Sequence, residues 1–301
     1  MQTKVLITID TEVRTPSDRP DAFDHDVLGC SRSNSRGAYW IADRLKSYGY
    51  PGVFFLDVYG FGKFRGAPYR ELCDRLLASG HEIQLHTHPD LMYDPKRQSM
   101  HEYSLAEQTT IIRDGMALLK EWTGKTPIAH RAGSYGANED TLKALHANGI
   151  FLDSSFFYSH GNCRLPFANL NSPFKADGIW EVPVTVRPRP VQRLGISLPF
   201  VKRYGKLDVN WMSAPQLCKA IKQLHGTIPY IVTFLHSFSF TRRQANGFVP
   251  DEAAIASFES MLQLLAENNI PAASFEQIDT KHLETCAEAQ PSASPRESWR
   301  L

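Results

Sequence analysis

The sequence predicts a single α/β domain folded as a closed or nearly closed β/α barrel with loop insertions. Three observations carry that prediction. Short apolar runs of strand type alternate with amphipathic helical runs along most of the chain, and a length of 301 residues accommodates about eight such pairs. A composition of 42% hydrophobic and 22% charged residues can bury a large core and is unlike that of a disordered chain. Strands alternating with helices build a mostly parallel sheet, which at this size closes most economically as a barrel.

Taken in order, the strand candidates are Lys4 to Asp10, Gly52 to Val58, His81 to His86, Ile128 to His130, Ile150 to Asp153, Trp180 to Val186, Tyr230 to Leu235 and Ala272 to Phe275. Each is short, apolar and bounded by polar or turn-forming residues. The helix candidates between them are Ser35 to Tyr48, Pro68 to Ser79, Ser104 to Trp122, Asn138 to Asn148, Ala214 to His225 and Asp251 to Asn268. Ser104 followed by Glu107 reads as a capping box, and Gly49, Gly80, Gly124 and Gly149 stand where left-handed C-caps are wanted. Two segments break the alternation, Phe156 to Ile179 and Arg187 to Trp211. The second gathers Arg187, Arg189, Arg193, Lys202, Arg203 and Lys206 before its first acid, Asp208. It reads as a solvated irregular insertion, or as a contact for an anionic part of a substrate. The barrel is expected over residues 1–283, and the Ala-, Ser- and Pro-rich tail over 284–301 is expected to be disordered.

Charge excludes one function class. Lys and Arg total 33 against 32 Asp and Glu, a net charge of +1, and no long run of one sign appears, so a nucleic-acid partner is not expected. No stretch is long and apolar enough for an integral membrane segment. The opening apolar run ends at Asp10, too soon for a secretory core, and the expected location is the cytoplasm. Five scattered cysteines, Cys30, Cys73, Cys163, Cys218 and Cys286, suggest neither a disulfide framework nor a Cys-rich zinc site. A bound metal would have to be held by His, Asp and Glu.

In a parallel barrel the residues that close each strand gather at one mouth. Here those residues include Asp10 and Glu12, His86 and His88, His130 and Arg131, Asp153, and His236. His86-Thr87-His88 is the strongest signal, because residues i and i+2 of extended chain project to one side and can share an ion. With a carboxylate from the Asp10-Thr11-Glu12 strand end, such a set suits zinc, and cobalt, nickel or iron would accept the same donors. Among other histidines, His81 is expected to cap the preceding helix, His101, His146, His225 and His282 to lie on the surface, and His130 to pack on the side of its strand away from Arg131. Asp90 is a candidate partner of a ligand histidine, and Tyr59, Phe61, Phe64, Tyr93 and Phe238 are loop aromatics able to stack on a sugar ring.

The run Gly80-His81-Glu82-Ile83-Gln84-Leu85-His86-Thr87-His88-Pro89-Asp90-Leu91 resembles the second motif of the polysaccharide deacetylases of the NodB-homology type, carbohydrate esterase family 4, shortened by two residues between the histidines. Four further segments resemble that family's motifs in the family's order: Ile7 to Glu12 the first, Arg131 to Tyr135 the third, Asp153 to Phe157 the fourth and Val232 to His236 the fifth. The resemblance covers roughly residues 4–280.

It implies a distorted β/α barrel and a metal-dependent hydrolase that removes an N-acyl group, acetyl or formyl, from an amino sugar or polysaccharide. Carried over, Asp10 is the general base, Arg131 orients it, His236 is the general acid, and Glu12, His86 and His88 hold one divalent metal, Zn2+ by preference. Thr11 stands where most members have a metal-binding aspartate, and Phe156 and Phe157 replace an acid and a Trp of the fourth motif, so Asp153 is expected to orient the catalytic histidine instead. The implied partner is a carbohydrate or amino-sugar substrate, phosphate-linked if the basic segment contacts it. Two alternatives remain open: a degenerate carbohydrate-binding barrel, and a metal-independent amidase of nitrogen metabolism.

Overall fold

The structure is a computed structural model that describes residues 2–14, 19–30, 35–64, 66–193, 196–244, 247–281 and 283–284, with the side chains of 190–202 outside that description. In chain order the elements are β1 (Lys4–Thr11), α1 (Ala22–Asp26), α2 (Ala38–Ser47), β2 (Val53–Asp57), α3 (Tyr69–Ala78), β3 (Glu82–Thr87), α4 (Leu105–Thr123), β4 (Ala129–Ala132), α5 (Glu139–Ala147), β5 (Leu152–Asp153), β6 (Phe174–Ala176), β7 (Ile179–Glu181), β8 (Val186–Arg193), β9 (Ile196–Lys206), α6 (Ala214–Leu224), β10 (Tyr230–His236), β11 (Thr241–Gln244), β12 (Gly247–Pro250), α7 (Glu252–Glu267) and β13 (Ala272–Ala273).

The main sheet runs β10-β1-β2-β3-β4-β5-β7-β6, parallel throughout except for the last pair, with β13 joining β1 beside β2. It is a curled, incompletely closed barrel rather than a full ring of paired strands. Between β7 and β10 the gap is crossed by single contacts. Leu207 N donates to the Thr185 carbonyl at 3.2 Å, Phe234 N to the Leu207 carbonyl at 2.8 Å, and Val232 N to the Thr185 hydroxyl at 2.8 Å. No helix of the described residues is long and apolar enough to cross a membrane.

Strand parity places the functional residues. Val5, Ile7 and Ile9 of β1 pack outward with α2, α3, α6 and α7, whereas Leu6 joins Val53, Phe55, Ala129, Leu152, Trp180, Tyr230, Val232 and Phe275 inside the barrel. Because strand side chains alternate, the inner rows continue upward as Thr8 and Asp10, Asp57, Gln84 and His86, Arg131, and Phe234 and His236. An apolar floor thus carries a polar mouth at the carboxyl ends of the strands.

The helices form where periodicity and caps coincide. α4 begins at a reciprocal Ser104–Glu107 capping box and ends at Gly124 with φ +70°, and α5 begins at Asn138, whose side chain accepts from Thr141 N. The insertion expected to be irregular over Arg187 to Trp211 is instead an antiparallel hairpin of β8 and β9, in which Val186 pairs with Lys206. Lys206, read from the sequence as part of a solvated basic face, is buried. The side chains of Arg193 and Lys202 lie outside the described residues, as do His282, Cys286 and the expected tail beyond Glu284.

Candidate metal centre and active site

Glu12, just past β1, meets His86 and His88 at the end of β3. One ligand atom from each lies within 4.8 Å of the other two, a group able to hold an ion. Both imidazoles aim Nε2 at the same carboxylate oxygen, His86 at 2.8 Å and His88 at 2.5 Å from Glu12 Oε2. His86 Nδ1 donates to the Arg131 carbonyl at 2.8 Å, since that oxygen can only accept, so a neutral His86 turns the lone pair of Nε2 toward Glu12. The buried His88 Nε2 makes no hydrogen bond of acceptable geometry.

Lone pairs facing a carboxylate repel unless a positive centre sits among them. Burial and the neighbouring acids bear this out. Burial works against the charged form of His88, but the closely facing Glu12 carboxylate, with Asp57 and Asp90, carries its pKa up to about 10. Burial likewise raises Glu12, and the facing His88 with the charge and hydrogen bond of His86 outweighs it, leaving the carboxyl well below the usual range. A proton or a metal ion can supply the missing charge, and two imidazoles plus one carboxylate are donors that a divalent ion of the zinc type accepts. The residues therefore fit the metal that the sequence implied.

Asp10 lies beside this group, its Oδ2 3.8 Å from His86 Nε2. Its other oxygen accepts from Arg131 Nη1 at 2.8 Å. The Arg131 side chain has no solvent exposure and is fixed on every side, by the Thr8 hydroxyl at 2.9 Å, the Ser154 carbonyl at 3.1 Å, the Ser154 hydroxyl at 3.0 Å, and the Phe55 ring 4.3 Å beneath it. His236 closes the mouth from β10, with Nε2 3.6 Å from Glu12 Oε1 and its ring stacked on Phe238 at 4.5 Å. Burial and the charge of Lys206 lower its pKa, while Glu12, Asp10 and Asp208 pull the other way.

Asp153 is not among these residues. Leu152 points into the barrel, so Asp153 faces the opposite side, where its Oδ1 is 2.8 Å from His130 Nδ1 and accepts from the Ser155 hydroxyl at 2.8 Å. It therefore orients His130, not His236. Beside it Glu181 is held well above the usual carboxyl range, chiefly by burial and then by the Asp153 charge. Thr11 is no ligand either, since its hydroxyl donates to the Ile9 carbonyl.

Other expectations are redistributed. His81 does cap α3, its backbone N–H donating to the Leu76 carbonyl at 3.1 Å after Gly80, and its ring also ties α2 to the start of β2, with Nε2 3.0 Å from the Ala42 carbonyl and Nδ1 accepting from Gly52 N at 3.0 Å. Asp90 stands 4.0 Å from His88 Nδ1, beyond hydrogen-bond range. Tyr59 is buried with its hydroxyl on the Ile111 carbonyl, Phe64 is buried, Phe61 packs on Tyr69 and Trp122, and Tyr93 bonds Asp114. Of the five aromatic rings only that of Phe238 stacks on a predicted site residue, His236, among the described contacts.

Three residues at the mouth were missed by sequence reasoning. Asp57 ends β2 and faces the histidine pair, and burial, partly offset by the charges of His88 and His86, pushes its pKa up to about 6. As the residue closing an apolar strand, it meets the same criterion that picks out Asp10. Lys206 and Asp208 form a buried ion pair with Nζ 3.2 Å from Oδ2, and Nζ also donates to the Tyr135 hydroxyl at 2.9 Å. Burial lowers the Lys206 pKa to about 8 against the pull of Asp208 and Asp10. Nothing in the local sequence marks these two as inward.

Solved structures share this fold. A Mycobacterium smegmatis protein assigned as a polysaccharide deacetylase superposes with a TM-score of 0.60 at 18% identity, over 95% of this chain and 91% of that one. A peptidoglycan N-acetylglucosamine deacetylase in complex with 4-naphthalen-1-yl-N-oxidanyl-benzamide superposes with a TM-score of 0.50 at 15% identity, over 93% and 89%. No family model matches the sequence, and no curated protein matches it. The architecture is that of the deacetylase-type distorted barrel.

Proposed function

We propose that this chain is a metal-dependent hydrolase of the polysaccharide deacetylase family that removes an N-acyl group, acetyl or formyl, from an amino sugar. The observation that carries this reading is the convergence of Glu12, His86 and His88 on one point beside an aspartate that a buried arginine holds in place. A divalent ion held by those three residues, zinc by donor type with cobalt, nickel or iron as substitutes, supplies Lewis acidity toward water and the acyl carbonyl.

The chain's own residues do the rest. Arg131 occupies Asp10 Oδ1 and leaves Oδ2 as the acceptor for the proton of the attacking water. The turn Gly133–Tyr135 borders His88 so closely that a Cβ on Gly133 would stand 2.5 Å from His88 Cε1; in this reading backbone N–H groups of that turn are the donors to the developing oxyanion. His236 delivers a proton to the departing amine as the amide C–N bond breaks, and the lowered pKa makes its imidazolium a readier donor. The products are the free amine and a carboxylate. For a phosphate-linked form of the sugar the accessible contacts among the described side chains of the hairpin are Arg187, Arg189 and Arg203, because Lys206 is buried and paired. An unchanged KM on replacing the three arginines would remove that part of the proposal.

The test is elemental analysis of purified protein together with amine release from N-acetylated and N-formylated amino sugars. One transition metal per chain is expected, lost with activity in Glu12→Ala and His88→Ala. Asp10→Asn is expected to keep the metal and lose about 10²- to 10⁴-fold in kcat. A wild type that takes up neither zinc nor cobalt defeats the reading. Sugar binding without amine release by metal-loaded protein would identify a binding barrel instead.

A further inference from the structure

The turn after β4 carries two consecutive non-glycine residues in the left-handed region, Ser134 at φ +51° and Tyr135 at φ +59°. Such residues are strained and persist only where their surroundings over-determine them. Two insertions hold this turn. From the hairpin, the Lys206 ammonium donates to the Tyr135 hydroxyl at 2.9 Å, lies 3.2 Å from Asp208 Oδ2 and sits 3.1 Å over the centre of the Phe234 ring. From the segment after β5, Asn162 Nδ2 donates to the Ser134 carbonyl at 3.0 Å. Asn162 is itself fixed, by Ser99 Oγ at 3.0 Å and by His101 Nε2 at 3.0 Å from its Oδ1.

Packing alone does not call for a lysine here. A buried ion pair as a whole returns little stability over a pair of apolar side chains of similar volume, so packing is not what selects Lys206 and Asp208 here. What the ammonium adds is a directed hydrogen bond to Tyr135, on a turn that touches the ligand histidine His88 through Gly133.

We propose that Lys206 and Asn162 are positioning residues that clamp the Ser134–Tyr135 turn from two separate insertions and so fix the backbone N–H groups of that turn for the hydrolytic step. The inference rests on the hydrolase reading above. Neither residue touches the candidate metal ligands or Asp10 among the described contacts; the Lys206 charge also acts on His236, so amide exchange at the turn and the uncharged Asn162 separate the clamp from that effect.

The experiment compares Lys206→Met, Lys206→Arg and Asn162→Ala with wild type, measuring kcat and KM, metal content, thermal midpoint, and hydrogen exchange of the amides at 133–136. Expected for Lys206→Met and Asn162→Ala are a fall of about 10- to 100-fold in kcat with KM nearly constant, unchanged metal content, and faster exchange confined to the turn. Lys206→Arg should recover part of kcat, because a cationic donor is restored. If Lys206→Met fails to fold, the half-buried Asn162, reaching the turn from a different insertion, carries the test. Unchanged exchange at the turn in the folded variants, or unchanged kcat in them, overturns the clamp. An inactive wild type overturns the hydrolase reading, and exchange still decides whether the clamp exists.

Discussion

Arg131 is charged, has no exposed surface and faces a buried carboxylate. Removing it in Arg131→Ala leaves Asp10 without its counter-charge and should cost about 3–5 kcal/mol, read as a lower denaturant midpoint at unchanged slope. Arg131→Lys keeps the charge but loses the planar fork that engages Thr8, Asp10 and Ser154 together, so activity should fall further than stability. Lys206 supports a pH prediction whose sign is fixed by its folded pKa of about 8, below the ordinary 10.5. Between those two values the unfolded chain binds more protons, so this group makes stability rise with pH, by up to about 3 kcal/mol across the window. Wild type should therefore gain on Lys206→Met from pH 8 to 10.5 in paired denaturation curves, and parallel curves would show that the ammonium is not strained. At this scale most of the site is legible, because strand ends announce their own chemistry. Asp153 misleads because its strand end faces outward, and only the registers of Leu152 with Ala129 and of Asp153 with His130 reveal it.

The elements most faithful to the sequence are those with both a period and a cap. α4 begins directly after Ser104, the cap that the sequence marks, and α5 and α7 begin one residue inside the ranges expected for them, after Asn138 and Asp251, whose side chains cap them. Because the Ser104 cap is solvent-exposed and local, Ser104→Ala should cost about 1 kcal/mol and leave kcat alone. A loss of activity in that variant would mean that α4 couples to the mouth. The hairpin of β8 and β9 was unreadable for a physical reason. Pro188 and Pro190 in β8 and Pro199 in β9 argue against any strand with neighbours on both sides, but this ribbon has two strands only, and an edge that pairs with nothing tolerates them. Five-residue α1 has too little length for a helical period to register. Both segments that broke the alternation supply a contact to the Ser134–Tyr135 turn, so the readable frame is the scaffold and the unreadable insertions are what adapts its mouth.

Across the whole molecule, the candidate ligands lie on two stretches of chain whose meeting depends on the sheet being formed. Glu12 follows β1 and the histidines end β3, with β2 between them in the parallel order. That parallel order was readable from the alternation of elements, whereas the incomplete closure through Thr185 and Leu207 depends on single contacts that no periodicity encodes. An ion that needs all three donors binds the folded chain and has no comparable site in the unfolded one. Mass action then adds RT ln(1 + [M]/Kd) to stability, about 2.7 kcal/mol at one hundred times Kd. Removing the ion should be felt globally, as loss of a cross-link between strands, and not as local fraying. Chelator should lower the thermal midpoint by several degrees in one cooperative transition, and added zinc should restore it with a dependence that saturates near one equivalent. Glu12→Ala should show the low midpoint with or without zinc. Asp10→Asn should still respond, since the proposed reading assigns its carboxylate to the water and not to the ion. If zinc shifts the midpoints of wild type and Glu12→Ala equally, the stabilising ion sits elsewhere and Glu12 is not its ligand.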